Sequence, residues 1–377
     1  MKIYCNAANI YNSLGSDVES HWNNAIDQIS TLQTRTLMNG FETKASYLSE
    51  DQWKTLRNEF DQNLTKSALL SIATINKALE KFPVNMQEAI IIIATTKGDV
   101  DMIPPGIQDS KNSTFYLSNI AHQIDEYFNP ALQTITLSNA CISGAQAIQT
   151  AGAYLKSGKV KYAIVCGVDL MTEFTLSGFN SLKALSDEAC RPFDAQRKGI
   201  SLGEAAATLI LSTEDHPFND HTLVTFDGGM VTNDANHISG PSRTGEGLYQ
   251  ALRHVSKDFV ERPDAISLHG TATIFNDDME SVALSRAGFS EIETFGLKGI
   301  YGHTLGAAGV LESILSVYAL CHNLVPGTVN YSQPGTIEII NVSDKNILKE
   351  INTIYKCTSG FGGANCVLSF SKSIKND

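Results

Sequence analysis

Two helix openings constrain this chain more than any other feature. Cys141, Ile142, Ser143, Gly144 and Ala145 begin one, and His303, Thr304, Leu305, Gly306 and Ala307 begin the other. Each sets a reactive side chain three residues before a Gly–Ala pair, after a strand-like run. The helices that follow, over 141–155 and 304–320, are too rich in small and apolar residues for a surface, so both belong in the interior. The repeat predicts an internal duplication: residues 1–214 carrying the nucleophile, and residues 215–377 carrying two histidines.

Short β-rich runs alternate with helical stretches throughout, the pattern of an α/β fold. Ala89, Ile90, Ile91, Ile92, Ile93 and Ala94 read as a buried central strand. Further strands are expected at 134–138, 161–166, 265–268, 294–297 and 367–370. With 377 residues the chain is long enough for two to three domains of about 150 residues, or one duplicated unit. A net charge of −12 argues against a nucleic-acid or anionic-membrane binder. No run reaches the roughly 18 apolar residues of a membrane span, and no secretory leader is visible. Seven scattered cysteines with no Cys-x-x-Cys pair suit neither a disulfide framework nor a thiolate metal site, so a reduced cytoplasm is expected.

Cys141 at a helix N-terminus is expected to lean towards thiolate. His269 and His303 both stand at strand-to-loop ends, each followed closely by threonine and glycine. The turn Ser359, Gly360, Phe361, Gly362, Gly363, Ala364, Asn365 lacks the Gly-Lys-Ser/Thr of a phosphate loop. It suits close backbone approach and N–H donation to an oxyanion, or an ordinary hairpin.

Taken in order, these motifs resemble a β-ketoacyl-acyl carrier protein synthase of the elongating, Cys-His-His branch. The resemblance rests on Cys141 in Asn-Ala-Cys-Ile-Ser-Gly-Ala, His269 in His-Gly-Thr-Ala-Thr-Ile-Phe-Asn-Asp, the stretch 298–309, Cys190 to Asp194 with Arg197, Gly203 and Glu204, and the Gly360–Gly363 turn. It runs from about residue 89 to 370 and is loose before that.

The resemblance implies the thiolase fold: duplicated βαβαβ halves in an α-β-α-β-α layering. It implies a dimer pairing across the strand at 134–138, formed with an identical or a related subunit. It implies a decarboxylating condensation in fatty acid or polyketide synthesis. Cys141 would carry the acyl group; His269 and His303 would stabilise the malonyl-derived carbanion; Lys298, paired with Glu312, would set their field. Backbone N–H groups of Cys141 and Phe361 would form the oxyanion hole. Thr271 and Thr273 would contact the pantetheine arm, Asp277 would order their loop, and Phe361 would gate the nucleophile. No metal or resident cofactor is implied, since phosphopantetheine arrives on an acyl carrier protein. Arg191, Arg197 and Lys198, or Lys54 and Arg57, are candidates for a basic rim that docks this acidic partner.

Three positions depart from the family's habit: Ala272 and Ala205 replace glycines, and Ser359 replaces a phenylalanine. The segment 101–129, expected to line the acyl pocket, is short. A chain-length-factor subunit is the non-enzymatic rival, disfavoured because Cys141, His269 and His303 are all present. A coenzyme A thiolase would need a second cysteine near the glycine turn, where only Cys366 stands, and a priming synthase would carry Asn at position 303.

Overall fold

The computed structural model describes residues 1–103, 115–219 and 222–374. The part of the 101–129 acyl-pocket expectation that falls on 104–114 lies outside the described residues. Ten strands form one long sheet. In chain order they are β1 (Tyr4–Asn12), β2 (Ala89–Ala94), β3 (Ile135–Leu137), β4 (Tyr162–Asp169), β5 (Ala205–Ser212), β6 (Thr222–Asn233), β7 (Ala265–Ser267), β8 (Glu293–Phe295), β9 (Thr353–Gly360) and β10 (Ala364–Ile374). Their spatial order is β1-β5-β4-β2-β3 on one side and β6-β10-β9-β7-β8 on the other. The two sides meet where Tyr4 and Cys5 pair with Thr225 and Val224.

Position for position the two orders are identical, and so are the strand directions. β1–β5 and β5–β4 are antiparallel, as are β6–β10 and β10–β9. The remaining pairs, β4–β2, β2–β3, β9–β7 and β7–β8, are parallel. Three helices recur at matching places: α1 (Lys66–Lys81), α2 (Leu117–Phe128) and α3 (Ser143–Lys156) in the first set, α4 (Glu246–Asp258), α5 (Ile274–Ala287) and α6 (Ala308–His322) in the second.

The period-two alternation of a strand sorts side chains between layers. On β2, Ile90, Ile92 and Ala94 face the central core, while Ile91 and Ile93 face an outer core under α1. On β9, Ile354 faces the centre and Tyr355 and Cys357 face a second outer core under α4 and α5. Between the two sheet faces lie α3 and α6. The result is the five-layer α-β-α-β-α arrangement of the thiolase fold.

The small residues of the central helices have a steric reason. A Cβ on Gly144 would sit 2.7 Å from the Gly306 carbonyl and 2.8 Å from the Val310 nitrogen, and one on Gly309 would strike the Ala145 nitrogen. The two motifs that opened the argument are thus the point where the helices cross. Both helices start slightly later than the sequence suggested, at Ser143 and Ala308, the second after a tight turn over Leu305–Ala307. Among the described residues one helical stretch, Leu305–His322, is long and apolar enough to cross a membrane; it is 89% buried in the fold and is this core helix.

Candidate active site

Cys141 stands at the carboxyl end of β3, two residues before α3 begins. Its neighbour Ala140 takes φ +46°, a left-handed conformation costly for a side chain, and aims Cys141 into a cavity. Ser143 Oγ braces the turn, donating to the Ala140 carbonyl at 2.6 Å and accepting from the Asn139 N–H at 2.8 Å. From the opposite side Gly360 brings the β9–β10 turn against it. A Cβ there would lie 3.0 Å from the Cys141 nitrogen. The glycine-rich stretch is therefore both a hairpin turn and a close-approach device. The N–H of Phe361 reaches the Cys141 sulfur.

His303 is pinned by the other half of the chain: its N–H donates to the Ser201 carbonyl (2.8 Å) and its carbonyl accepts from the Gly203 N–H (3.0 Å). Only glycine fits at 203, since a Cβ would meet the Tyr301 carbonyl. The Leu305 N–H donates to His303 Nδ1 at 3.2 Å, which leaves the ring proton on Nε2. That Nε2 is buried with no hydrogen-bond partner among the described residues. The Lys298 ammonium lies 3.3 Å from His269 Nδ1, so His269 also carries its proton on Nε2. The two rings meet edge to face, centroids 4.9 Å apart, and one nitrogen from each lies with Cys141 Sγ inside a 4.8 Å cluster. The sequence spacing had suggested no such cluster. A metal bound there would have to displace both ring protons and break the Lys298 and Leu305 hydrogen bonds; the cluster is built to donate.

Burial first, then the Lys298 charge, holds both imidazoles well below their usual 6.5, so they are neutral donors. Cys141 differs from expectation. Burial pushes its thiol up to about 11, with Lys298 and the Phe361 N–H pulling the other way. The helix-terminus argument for a thiolate is outweighed by burial, since Cys141 is only 7% exposed.

Lys298 is fully buried, donating to Glu312 at 2.6 Å and to the His269 carbonyl at 2.5 Å. Asp277 lies in the first turn of α5 and not in a loop. Its carboxylate takes the N–H of Phe193 (2.7 Å) and of Thr271 (3.1 Å), and burial raises it to about 6. Thr271 and Thr273 share a 2.8 Å hydroxyl hydrogen bond on the cavity wall. Phe361, 37% exposed, stacks on Phe179 at 5.5 Å. The cavity they enclose is about 440 Å³.

Arg197 is not part of any rim. Its side chain is 4% exposed and bonded to Asp278 at 2.8 Å, a strut against the first turn of α5. Lys54 and Arg57 bond locally, to Asp51 and to the Leu64 carbonyl. Lys198 does line the cavity, and Lys183, absent from the sequence reading, joins it. Cys366 is buried within β10 opposite Thr358 and Val231, outside the cavity lining among the described residues.

Sequence reasoning missed two buried acceptors and two cations, and it named Glu204 without giving it a role. Glu280 accepts from the His269 and Gly270 N–H groups, each at 2.7 Å. Asp169 at the end of β4 takes the Thr96 and Gly306 N–H groups and the Lys97 ammonium. Glu204 accepts from Leu48 and Met171. Lys356 on β9 meets Glu312 from the other side, 2.6 Å away, as an ion pair and not as an aligned hydrogen bond. The Gly-Glu and Thr-Lys-Gly contexts of Glu204 and Lys97 were quotable signals; Lys356 offered none.

Comparison with known proteins follows the same lines. The family models described as "Beta-ketoacyl synthase, N-terminal domain" and "Beta-ketoacyl synthase, C-terminal domain" match residues 109–216 and 223–332, together more than half of the chain. A Schizosaccharomyces pombe protein named as a mitochondrial 3-oxoacyl-[acyl-carrier-protein] synthase is 28% identical over 96% of this chain and 97% of its own. A 3-oxoacyl-[acyl-carrier-protein] synthase 2 of Rhizobium meliloti is 32% identical, over 61% of this chain and 58% of its own length. Among solved structures, the ketosynthase ApeO with its chain length factor ApeC from Xenorhabdus doucetiae superposes with a TM-score of 0.83 at 25% identity, covering 99% of this chain and 98% of that one.

Proposed function

The chain belongs to the β-ketoacyl synthase family, and on that premise we propose that it catalyses the decarboxylating condensation of an acyl group held on Cys141 with malonyl-acyl carrier protein. The observation that carries this reading is the pair of buried imidazoles whose only free hydrogens point from Nε2 beside the Cys141 sulfur.

The chemistry follows from the groups in place. Cys141 Sγ attacks the carrier-bound acyl thioester, giving up its proton as the carrier thiol departs protonated. The N–H groups of Cys141 and Phe361 receive the negative charge on the tetrahedral oxygen. Malonyl thioester then loses carbon dioxide, and the electron pair of the broken C–C bond moves onto the thioester oxygen. His269 and His303 donate their Nε2 protons as hydrogen bonds to that oxygen; neutral rings suffice, because the role is to stabilise charge. The enolate carbon attacks the acyl carbonyl and Cys141 leaves, regaining a proton. Storing the acyl chain on sulfur divides one hard condensation into two displacements.

The pantetheine arm enters past Thr271 and Thr273, so no resident cofactor is part of this reading. The carrier is acidic, and Lys183 and Lys198 at the cavity are the docking cations we favour. Lys198→Glu is expected to raise KM for carrier-bound substrate several-fold at low salt with little effect at high salt; an unchanged KM removes Lys198 from the docking site. We further propose a dimer formed through β3, whose outer edge has no partner among the described residues, a cytoplasmic location, and a duplication dividing the chain at 214/215, supported by the matching strand orders. A heterodimer with a related, non-acylating subunit is the second reading, favoured by likeness to the ApeO–ApeC pair.

A further inference from the structure

Lys356 sits where a lysine has no ordinary reason to be. It lies on β9, flanked by β7 and β10. It is wholly buried and faces the central layer alongside Ile354. Taking an ammonium out of water costs several kcal/mol after relaxation, and an apolar residue would fill the site at no such cost. Its contacts converge on the histidine pair. The Nζ donates to the Leu268 carbonyl (3.1 Å) and the Cys357 carbonyl (2.8 Å), and pairs with Glu312 Oε2 (2.6 Å).

The backbone around His269 is thereby held at four consecutive points. Lys356 holds the Leu268 carbonyl and Lys298 the His269 carbonyl, while Glu280 takes the His269 and Gly270 N–H groups. The two buried ammoniums of Lys356 and Lys298 share the single Glu312 carboxylate beside His269, and the next carboxyl, Glu280, is pushed up to about 7 by burial.

Resting on the condensation reading above, we propose that Lys356 is a positioning residue that clamps His269 and adds a second positive charge beside it, helping to keep both imidazoles as neutral Nε2 donors towards the malonyl-derived oxygen. The groups facing the pair are Cys141 from the turn before α3, Lys97 after β2, Asp169 on β4, Asp277 and Glu280 on α5 with Arg197 behind them, Lys298, Glu312 on α6 and Lys356 on β9. Burial first and then Lys298 lower the basicity of both rings, and Lys356 adds to them in the same direction.

The test compares Lys356→Met, close in volume and leaving Lys298 and Glu312 as a balanced pair, with Lys356→Arg, which keeps the charge. The first measurement is histidine-selective NMR titration of the two rings, assigned with His269→Asn and His303→Asn. In the wild type both rings stay neutral well below the usual imidazole range; in Lys356→Met they protonate at higher pH because a neighbouring positive charge is gone, and in Lys356→Arg they titrate as in the wild type. The second is malonyl-carrier decarboxylation. Lys356→Met lowers kcat about tenfold with KM near that of the wild type, and moves the acid limb upward. Ring titrations and an acid limb that coincide in wild type and Lys356→Met overturn the proposal. The titration needs no turnover, so a wild type inactive on malonyl-carrier protein overturns the condensation reading while the clamp and its charge are still tested. Should Lys356→Met not fold, Lys356→Gln serves the same comparison.

Discussion

At Cys141 two effects oppose each other, and their balance sets how the nucleophile behaves. Burial raises the thiol to about 11, while Lys298 and the Phe361 N–H lower it. The free enzyme therefore holds a thiol at neutral pH. Alkylation of Cys141 by iodoacetamide is expected to keep rising about tenfold per pH unit from pH ~7 to ~10; a plateau near neutrality would show a preformed thiolate instead. Replacing either His303 or His269 by alanine removes one donor to the developing charge, and decarboxylation should fall by about 10²–10³ while Cys141 still takes up an acyl mass. Ala272 adds a residue-scale prediction of another kind. It sits at φ +61°, where the family favours glycine, so Ala272→Gly should raise stability by about 1 kcal/mol, read by thermal melting. Cys141, His269 and His303, which line the cavity, were singled out by their distinctive local contexts. Their ionisation was not legible, since it depends on a burial that no motif encodes.

At the scale of elements, the groups proposed as catalytic are held together by the crossing of α3 and α6. The openings of these helices carry Cys141 and His303, and Gly144 and Gly309 let the backbones touch. Gly309→Ala should cost about 1–3 kcal/mol through overpacking, and the displaced helix should lower kcat more than it raises KM. Differential melting with steady-state kinetics checks both; a variant with wild-type melting and turnover would mean the crossing is slack. The small residues at both openings made the interior placement of both helices readable in advance, but not their crossing. Lys356 was unreadable for the opposite reason. A single lysine among Thr353, Ile354, Tyr355, Cys357 and Thr358 resembles the charge of an exposed strand, and only the placement of β9 between β7 and β10 shows it to be interior. Arg197 misled in the same way: its position beside Lys198 suggested a surface patch, but its guanidinium is turned inward onto Asp278.

Over the whole molecule, two sets of five strands in one order converge on one cavity, the first bringing the nucleophile and the second the two histidines and the Phe361 turn. The alternation of β-rich and helical stretches announced the α/β class, the family resemblance implied the layering, and the paired helix openings announced the repeat. The first 85 or so residues announced little, because β1 and α1 contribute packing surface and no reacting group. The edge position of β3 implies a whole-molecule prediction. Thr136→Lys, a charge on the unpaired edge, should convert a dimer to monomers in light scattering, whereas a dimer that persists would place the interface elsewhere. The most direct test of the central claim incubates the purified protein with malonyl-carrier protein and a medium-chain acyl-carrier protein and follows both by mass spectrometry. The structure predicts an acyl mass on Cys141 and a 3-ketoacyl-carrier product two carbons longer than the acyl donor. Finding neither mass would contradict the assignment of a condensing enzyme to this site.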